Sequence, residues 1–178
     1  MRGSLNFSIG GRRTAIGLAV VLGCGAAAGA AGPDLARRPG LWEMKLTLDG
    51  GRYPIPVSQI CLDARAEPRL TIAGPQMRRS ACQTYETAAR PGGGWTLHSV
   101  CKLADGGRVE TDGLIEGDLD SAYSVTATST ISGSTSPFRN GRHTIVIDAR
   151  LAGACPAGAR GGDITVNGRT SNVFSSPG

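Results

Sequence analysis

The sequence predicts an all-β antiparallel meander of about seven to eight strands, curled into a partly or fully closed barrel and held by two disulfides, with a two-layer sandwich as the alternative. Three observations predict it. Apolar and polar residues alternate with period two through one segment after another, the pattern of half-buried strands. Gly and Asp turns separate these segments at intervals of about 8 to 12 residues, as in sheets built from successive hairpins. Gly makes up 27 of the 178 residues, about twice its usual share of roughly 7%, and no stretch is suited to a long covering helix. A helical bundle and a coiled coil are thereby excluded. The length fits one domain.

The elements follow in chain order. Arg2, Arg12 and Arg13 precede the apolar run 15–22, which passes into small residues up to Ala30. A basic start, an apolar stretch and small residues at the end form a secretory signal peptide, read over 1–30, with cleavage expected after Ala28 or Ala30. The stretch is too short and too rich in Gly and Ala for a span, which needs about 20 apolar residues. A periplasmic or secreted location follows. The alternative is a membrane-anchored lipoprotein, because Val21-Leu22-Gly23-Cys24 resembles a lipobox and would place lipidation on Cys24. The formal charge of +5 is largely the leader's: three of the 19 basic residues and none of the 14 acidic ones lie there, so the rest carries only +2.

Past the leader, residues 31–156 are read as a single β-domain. Trp42, Met44, Leu46 and Leu48 point one way and Glu43, Lys45 and Thr47 the other, a half-buried strand. Asp49-Gly50-Gly51 turns the chain into segment 53–62, where Pro54 and Pro56 imply an edge strand or a rim loop. Segment 63–79 is irregular; Asp63 can cap a short helical turn, and Pro68 and Pro75 keep it short. Strands follow over 81–88, 95–103, 108–116, 121–131 and 142–151. Trp95, Leu97, Ser99, Cys101 and Leu103 share one face of theirs, Tyr123, Val125, Ala127 and Ile131 share another, and His143, Ile145, Ile147, Ala149 and Leu151 a third. Residues 157–178 are read as a Gly/Ser-rich tail; Ile164 and Val166 could add a short strand, but a loose tail is the expectation.

Four Cys remain after the leader: Cys61, Cys82, Cys101 and Cys155. In an oxidising compartment four Cys imply two disulfides with three connectivities open. Counting inward from Cys82 and Cys101 meets in the turn 90–94, so these two face each other across one hairpin, close enough for a bridge. That leaves Cys61 with Cys155.

Arg38-Pro39-Gly40-Leu41-Trp42-Glu43 behind a signal peptide, Gln59-Ile60-Cys61-Leu62, Cys82 opening a strand, Trp95 and Cys101 on the next, and Gly153-Ala154-Cys155 together resemble the bacterial exported family catalogued as domain of unknown function 3617. The resemblance covers about residues 37 to 155. It implies a small exported or periplasmic protein, often a lipoprotein candidate, and brings no activity and no catalytic residues. The chain departs from the family in its Pro-rich 53–57, where members often carry a Met-rich stretch, and in the residues beyond Cys155.

Little else in the chain carries chemistry. No Cys-x-x-Cys or His cluster supports zinc. His98 and His143 are read as solvated or packed strand residues, and no Gly-x-Ser-x-Gly elbow singles out a nucleophile. Glu110, Asp112, Glu116, Asp118 and Asp120 form one acidic group without the calcium-loop pattern, and Asp is a common turn former. Scattered Arg and few aromatics exclude a nucleic-acid groove. No catalytic residue, metal or cofactor is therefore expected. The expected function is a non-enzymatic exported β-domain that binds a small apolar ligand or an envelope component, with Trp42, Met44, Leu46, Tyr123 and Val125 facing the ligand. The alternatives are a lipid-anchored envelope assembly or structural lipoprotein and, behind it, a periplasmic hydrolase.

Overall fold

The computed structural model describes residues 35–175, apart from the side chains at 75 and 76. The expected signal peptide 1–30, the cleavage sites expected after Ala28 or Ala30 and the expected lipidation site Cys24 lie outside the described residues. No described helix is long and apolar enough to cross a membrane. The described residues form eleven strands: β1 (Gly40–Leu48), β2 (Ser58–Leu62), β3 (Leu70–Thr71), β4 (Gly74–Arg78), β5 (Cys82–Ala89), β6 (Trp95–Lys102), β7 (Arg108–Asp118), β8 (Ala122–Ser132), β9 (Gly141–Gly153), β10 (Asp163–Val166) and β11 (Arg169–Asn172). Nine of them make one antiparallel sheet in the order β11-β10-β2-β1-β9-β8-β7-β6-β5, and β3 pairs only with β4.

β5 to β9 is the meander expected from the alternation. β1 breaks the sequential order, lying between β2 and β9 with Trp42 opposite Leu151 and Leu48 opposite Ile145. The alternation places Trp42, Ile60, Leu97, Ile115, Val125 and Ile147 on one face, the inner face, where all are at most 2% exposed. Each such side chain contributes roughly 1.5–3 kcal/mol by leaving water, so this face must be covered.

It is not covered by closing a barrel, the expected route. β5 and β11 are not paired with each other, so the sheet is open. The cover is instead the irregular segment 63–81, a strap laid over the inner face that brings Ala66, Leu70 and Ile72 into the core. Asp63 starts the strap as a cap, its Oδ1 accepting the N–H groups of Arg65 (3.0 Å) and Ala66 (2.7 Å). A sandwich is not formed either, since the second sheet is only the β3–β4 hairpin within the strap.

Both disulfides form as the Cys spacing indicates, and they bracket the strap. Cys61 joins Cys155 with 5.5 Å between Cα atoms, and Cys82 joins Cys101. Plain counting in the β5–β6 hairpin would set Gln83 against Cys101; a bulge between Cys82 and Thr84 shifts the register so that Cys82 faces Cys101. At the other end, Leu41 pairs with Cys61 on one side and Gly153 on the other, so the Cys61–Cys155 bridge reaches over the start of β1.

Two further expectations are corrected. Segment 53–62 divides: Pro54 and Pro56 lie in a loop before β2, the rim-loop alternative, whereas β2 is flanked by β1 and β10 and is not an edge strand. The loose tail is replaced by the β10–β11 hairpin, whose Ile164 pairs with Ile60. Asn167 (φ 50°) and Gly168 (φ 73°) form its turn. Asn-Gly between two alternating segments is a strong hairpin signal, because both turn positions need positive φ.

Candidate functional site

The inner face divides into a filled half and an open half. In the filled half Trp42 and Tyr123 pack at 5.5 Å between ring centroids, and the Trp42 Nε1–H donates to the Arg38 carbonyl at 2.8 Å. The strap is fastened here through its Ile72 backbone. The Tyr85 hydroxyl accepts the Ile72 N–H at 2.9 Å, and the Tyr123 hydroxyl donates to the Ile72 carbonyl at 3.2 Å. Arg37, whose side chain is fully buried, donates from Nη1 to the Tyr123 hydroxyl at 3.2 Å and from Nε to the Glu67 carboxylate at 3.0 and 3.1 Å. Its Nη2 sits 3.0 Å from Glu67 Oε2 without an aligned N–H, a favourable charge contact that is not a hydrogen bond. Burial pushes both tyrosine hydroxyls above their ordinary range, so they stay neutral and able to donate.

Below this packed half lies a groove of about 560 Å³, bounded by β1 and β6 to β9 on one side and by Thr71, Ala73 and Met77 of the strap on the other. Its walls are aliphatic, with Leu46, Leu48, Val109, Val125, Ile131 and Ile145. Across its floor runs one polar row in register: Tyr85 opposite Ser99, Ser99 opposite Thr111, Thr111 opposite Ser129 and Ser129 opposite His143. The Thr111 and Ser129 hydroxyls lie 2.6 Å apart and satisfy each other. Tyr53 and Phe138, 58% and 93% exposed, stand at the rim.

Of the five residues expected to face a ligand, the structure puts Leu46 in the groove wall; Trp42, Met44, Tyr123 and Val125 belong to the buried core, with Val125 backing the groove at 0% exposure. The polar row has no local signature. It arises because one hydroxyl or imidazole falls at the same height on each of five neighbouring strands.

His143 ends that row. Its Nδ1 lies 2.8 Å from Asp49 Oδ2 and its Nε2 3.0 Å from the Arg139 carbonyl, so both nitrogens face acceptors, an arrangement that favours the protonated ring. Neither is left to take a proton from a hydroxyl. The Asp49 hydrogen bond raises the His143 pKa above its ordinary value, and the same bond, with the Thr144 N–H, lowers that of Asp49. A raised histidine stabilises fully below its unfolded pKa of about 6.5, and that stability is lost as pH rises through the folded value. A depressed aspartate stabilises above its unfolded pKa of about 3.9 and loses this as pH falls through the folded value. The melting temperature is therefore expected to decline on the alkaline side of about pH 6.5 in the native chain and to stay flat there in His143→Gln. Identical slopes in the two proteins would show that the pair contributes nothing.

His98 lies on the outer face, 2.8 Å from Asp112 Oδ1 and with Glu110 close by, because residues 98 and 112 are cross-strand partners. This trio was not read from the sequence; the β6–β7 register is what creates it. It is an open surface group: the Asp112 side chain is 72% exposed, and Glu110 is already paired with Arg108 at 2.8 Å. The rest of the acidic group disperses. Asp118 serves its own turn, accepting from the Asp120 N–H at 2.8 Å and the Ser121 hydroxyl at 2.9 Å, and Glu116 pairs with Arg90 at 3.3 Å.

No curated protein and no solved structure matches the chain. A family model does, that of the protein of unknown function DUF3617, over residues 37–155. Its limits fall on Arg37, which fastens the strap, and on Cys155, which clasps β1; the β10–β11 hairpin lies beyond them. The chain belongs to the DUF3617 family.

Proposed function

We propose that this is an exported periplasmic β-domain without enzymatic activity that holds a small apolar molecule in the inner-face groove. The observation that carries the reading is the contrast between the two halves of one face: the upper half is filled by Trp42, Tyr123 and the strap, and the lower half keeps an aliphatic groove of about 560 Å³. Ligand sites are typically concave, mostly apolar and about 300–1,000 Å³ in volume, with a few placed polar groups, and the Tyr85-to-His143 row supplies those.

The test is native mass spectrometry of the chain purified from its own cell envelope. It is expected to arrive with an apolar molecule bound, and Ile145→Lys, which sets an ammonium among the aliphatic walls, is expected to lower occupancy by about tenfold. The melting temperature of the variant separates loss of binding from loss of fold. A chain that is empty as purified and takes up no apolar probe overturns the reading. A second reading, a lipid-anchored envelope protein, rests on Val21-Leu22-Gly23-Cys24. The same mass distinguishes a chain beginning at diacylated Cys24 from one beginning after Ala28 or Ala30.

A further inference from the structure

The groove opens at the end of the sheet where β1 finishes and β9 begins, and this end carries two independent features. The first is apolar. Phe138 is 93% exposed, yet it does not sit on a slack loop. It lies in the 3-10 turn Pro137–Arg139, which is braced on both sides: Arg139 Nη1 reaches Asp105 at 3.4 Å, and the Arg139 carbonyl accepts from His143 Nε2 at 3.0 Å. Ser134 and Asn140 close the loop behind it, Ser134 N–H to Asn140 Oδ1 at 2.9 Å and Asn140 Nδ2 to the Ser134 carbonyl at 3.1 Å. The fold thus holds a phenyl ring out in solvent. Tyr53, 58% exposed, stands on the same rim in the loop after β1. Large apolar side chains held outward at a groove mouth mark a contact surface.

The second feature is charge. Asp49, Asp105 and Glu110, the acidic residues of this end, each have a partner within it: His143 at 2.8 Å, Arg139 at 3.4 Å and Arg108 at 2.8 Å. Arg52 in the loop after β1, Lys102 at the end of β6 and Arg142 at the start of β9 are exposed around them and leave this end with an excess of positive charge.

We infer that this rim docks on an anionic phospholipid surface, with Phe138 and Tyr53 entering the interface and Arg52, Lys102 and Arg142 facing the headgroups. The inference rests on the reading of the groove as an apolar-ligand site. Aromatic rings favour the boundary between headgroups and acyl chains, and basic side chains are drawn to an anionic leaflet within a Debye length. An apolar molecule passing between a bilayer and a groove whose mouth lies against it avoids crossing water. The same geometry explains why the mouth is rimmed by exposed aromatics instead of being sealed by the strap.

The test is co-sedimentation of the mature chain with vesicles of phosphatidylcholine alone and of phosphatidylcholine mixed equally with phosphatidylglycerol. Binding is expected to be about tenfold stronger to the anionic vesicles and to fall steeply between about 0.05 M and 0.5 M salt, as screening requires. Phe138→Asp, at a fully solvated position, is expected to lower bound protein about fivefold with an unchanged melting temperature. Arg52→Glu with Arg142→Glu is expected to abolish the preference for anionic vesicles. Binding of the neutral fluorescent probe N-phenyl-1-naphthylamine, measured without vesicles, is expected to survive in the Arg52→Glu, Arg142→Glu variant, whose two positions do not line the groove. Absence of vesicle binding, equal binding to both compositions, or indifference to Phe138→Asp overturns the docking surface, including the case in which the rim serves an acidic protein partner. Vesicle binding with no probe binding in any form supports the docking surface and overturns the groove reading instead.

Discussion

Replacing Cys61 and Cys155 together by Ser is expected to lower the unfolding free energy by about 4 to 5 kcal/mol, the largest effect of any change considered for this chain. The bridge joins residues 94 apart, and in the chain-entropy picture a loop of about 100 residues restricts the unfolded chain by roughly 4.7 kcal/mol. Cys82 and Cys101 are 19 apart, for which the same relation gives roughly 3 kcal/mol. The long bridge also has a folded-state role, because it passes over the start of β1 and holds that strand between β2 and β9. Denaturant titration of the two double-Ser variants under non-reducing conditions provides the comparison. A Cys82/Cys101 variant that is the less stable of the two would show that chain entropy does not set the order.

Glu67→Ala is expected to cost about 3 kcal/mol, the lower part of the range for breaking a buried ion pair, since the Glu67 side chain remains 12% exposed. The cost is that of stranding Arg37, whose side chain is fully buried and whose remaining side-chain partners are the Tyr123 hydroxyl and the Met44 sulfur. Adding Arg37→Met removes the stranded charge while keeping most of the volume. The double variant is therefore expected to regain at least about half of the loss. A double variant as unstable as Glu67→Ala would mean that Arg37 acts through packing against Tyr123 and not through its charge. Because Glu67 belongs to the strap and Arg37 to the segment before β1, amide exchange at Ile72 should report the loosening first, ahead of the sheet.

The faces of the strands were legible in the sequence because alternation is a local property. Trp42 to Leu48, Tyr123 to Ile131 and His143 to Leu151 all point as the pattern indicates. The short disulfide was legible for the same reason, although the bulge at Gln83 completes its register. Three features were hidden. The β1–β9 pairing joins residues about a hundred apart, and nothing in either strand names the other. The strap has no periodicity of its own; Ile72 is placed by two tyrosine hydroxyls from strands β5 and β8. The groove follows from where the strap stops covering the sheet, so Leu46 could be anticipated by face but not separated from Trp42, Met44, Tyr123 and Val125 on the same face. The final hairpin differs from these, since Asn167-Gly168 was a local signal that the Gly and Ser around it obscured.

The position of β1 also has a bearing on how the chain reaches this structure. β1 and β2 can meet across a loop of nine residues, and β5 to β9 can form by neighbouring hairpins, so both units need only short loop closures. The seam between β1 and β9 is of another kind. It joins residues 41–48 with 145–153, and closing a loop of that size is slow compared with forming a hairpin. The topology thus leaves two edges that must find each other late in folding, with the Cys61–Cys155 bridge available to fasten them only once they have met.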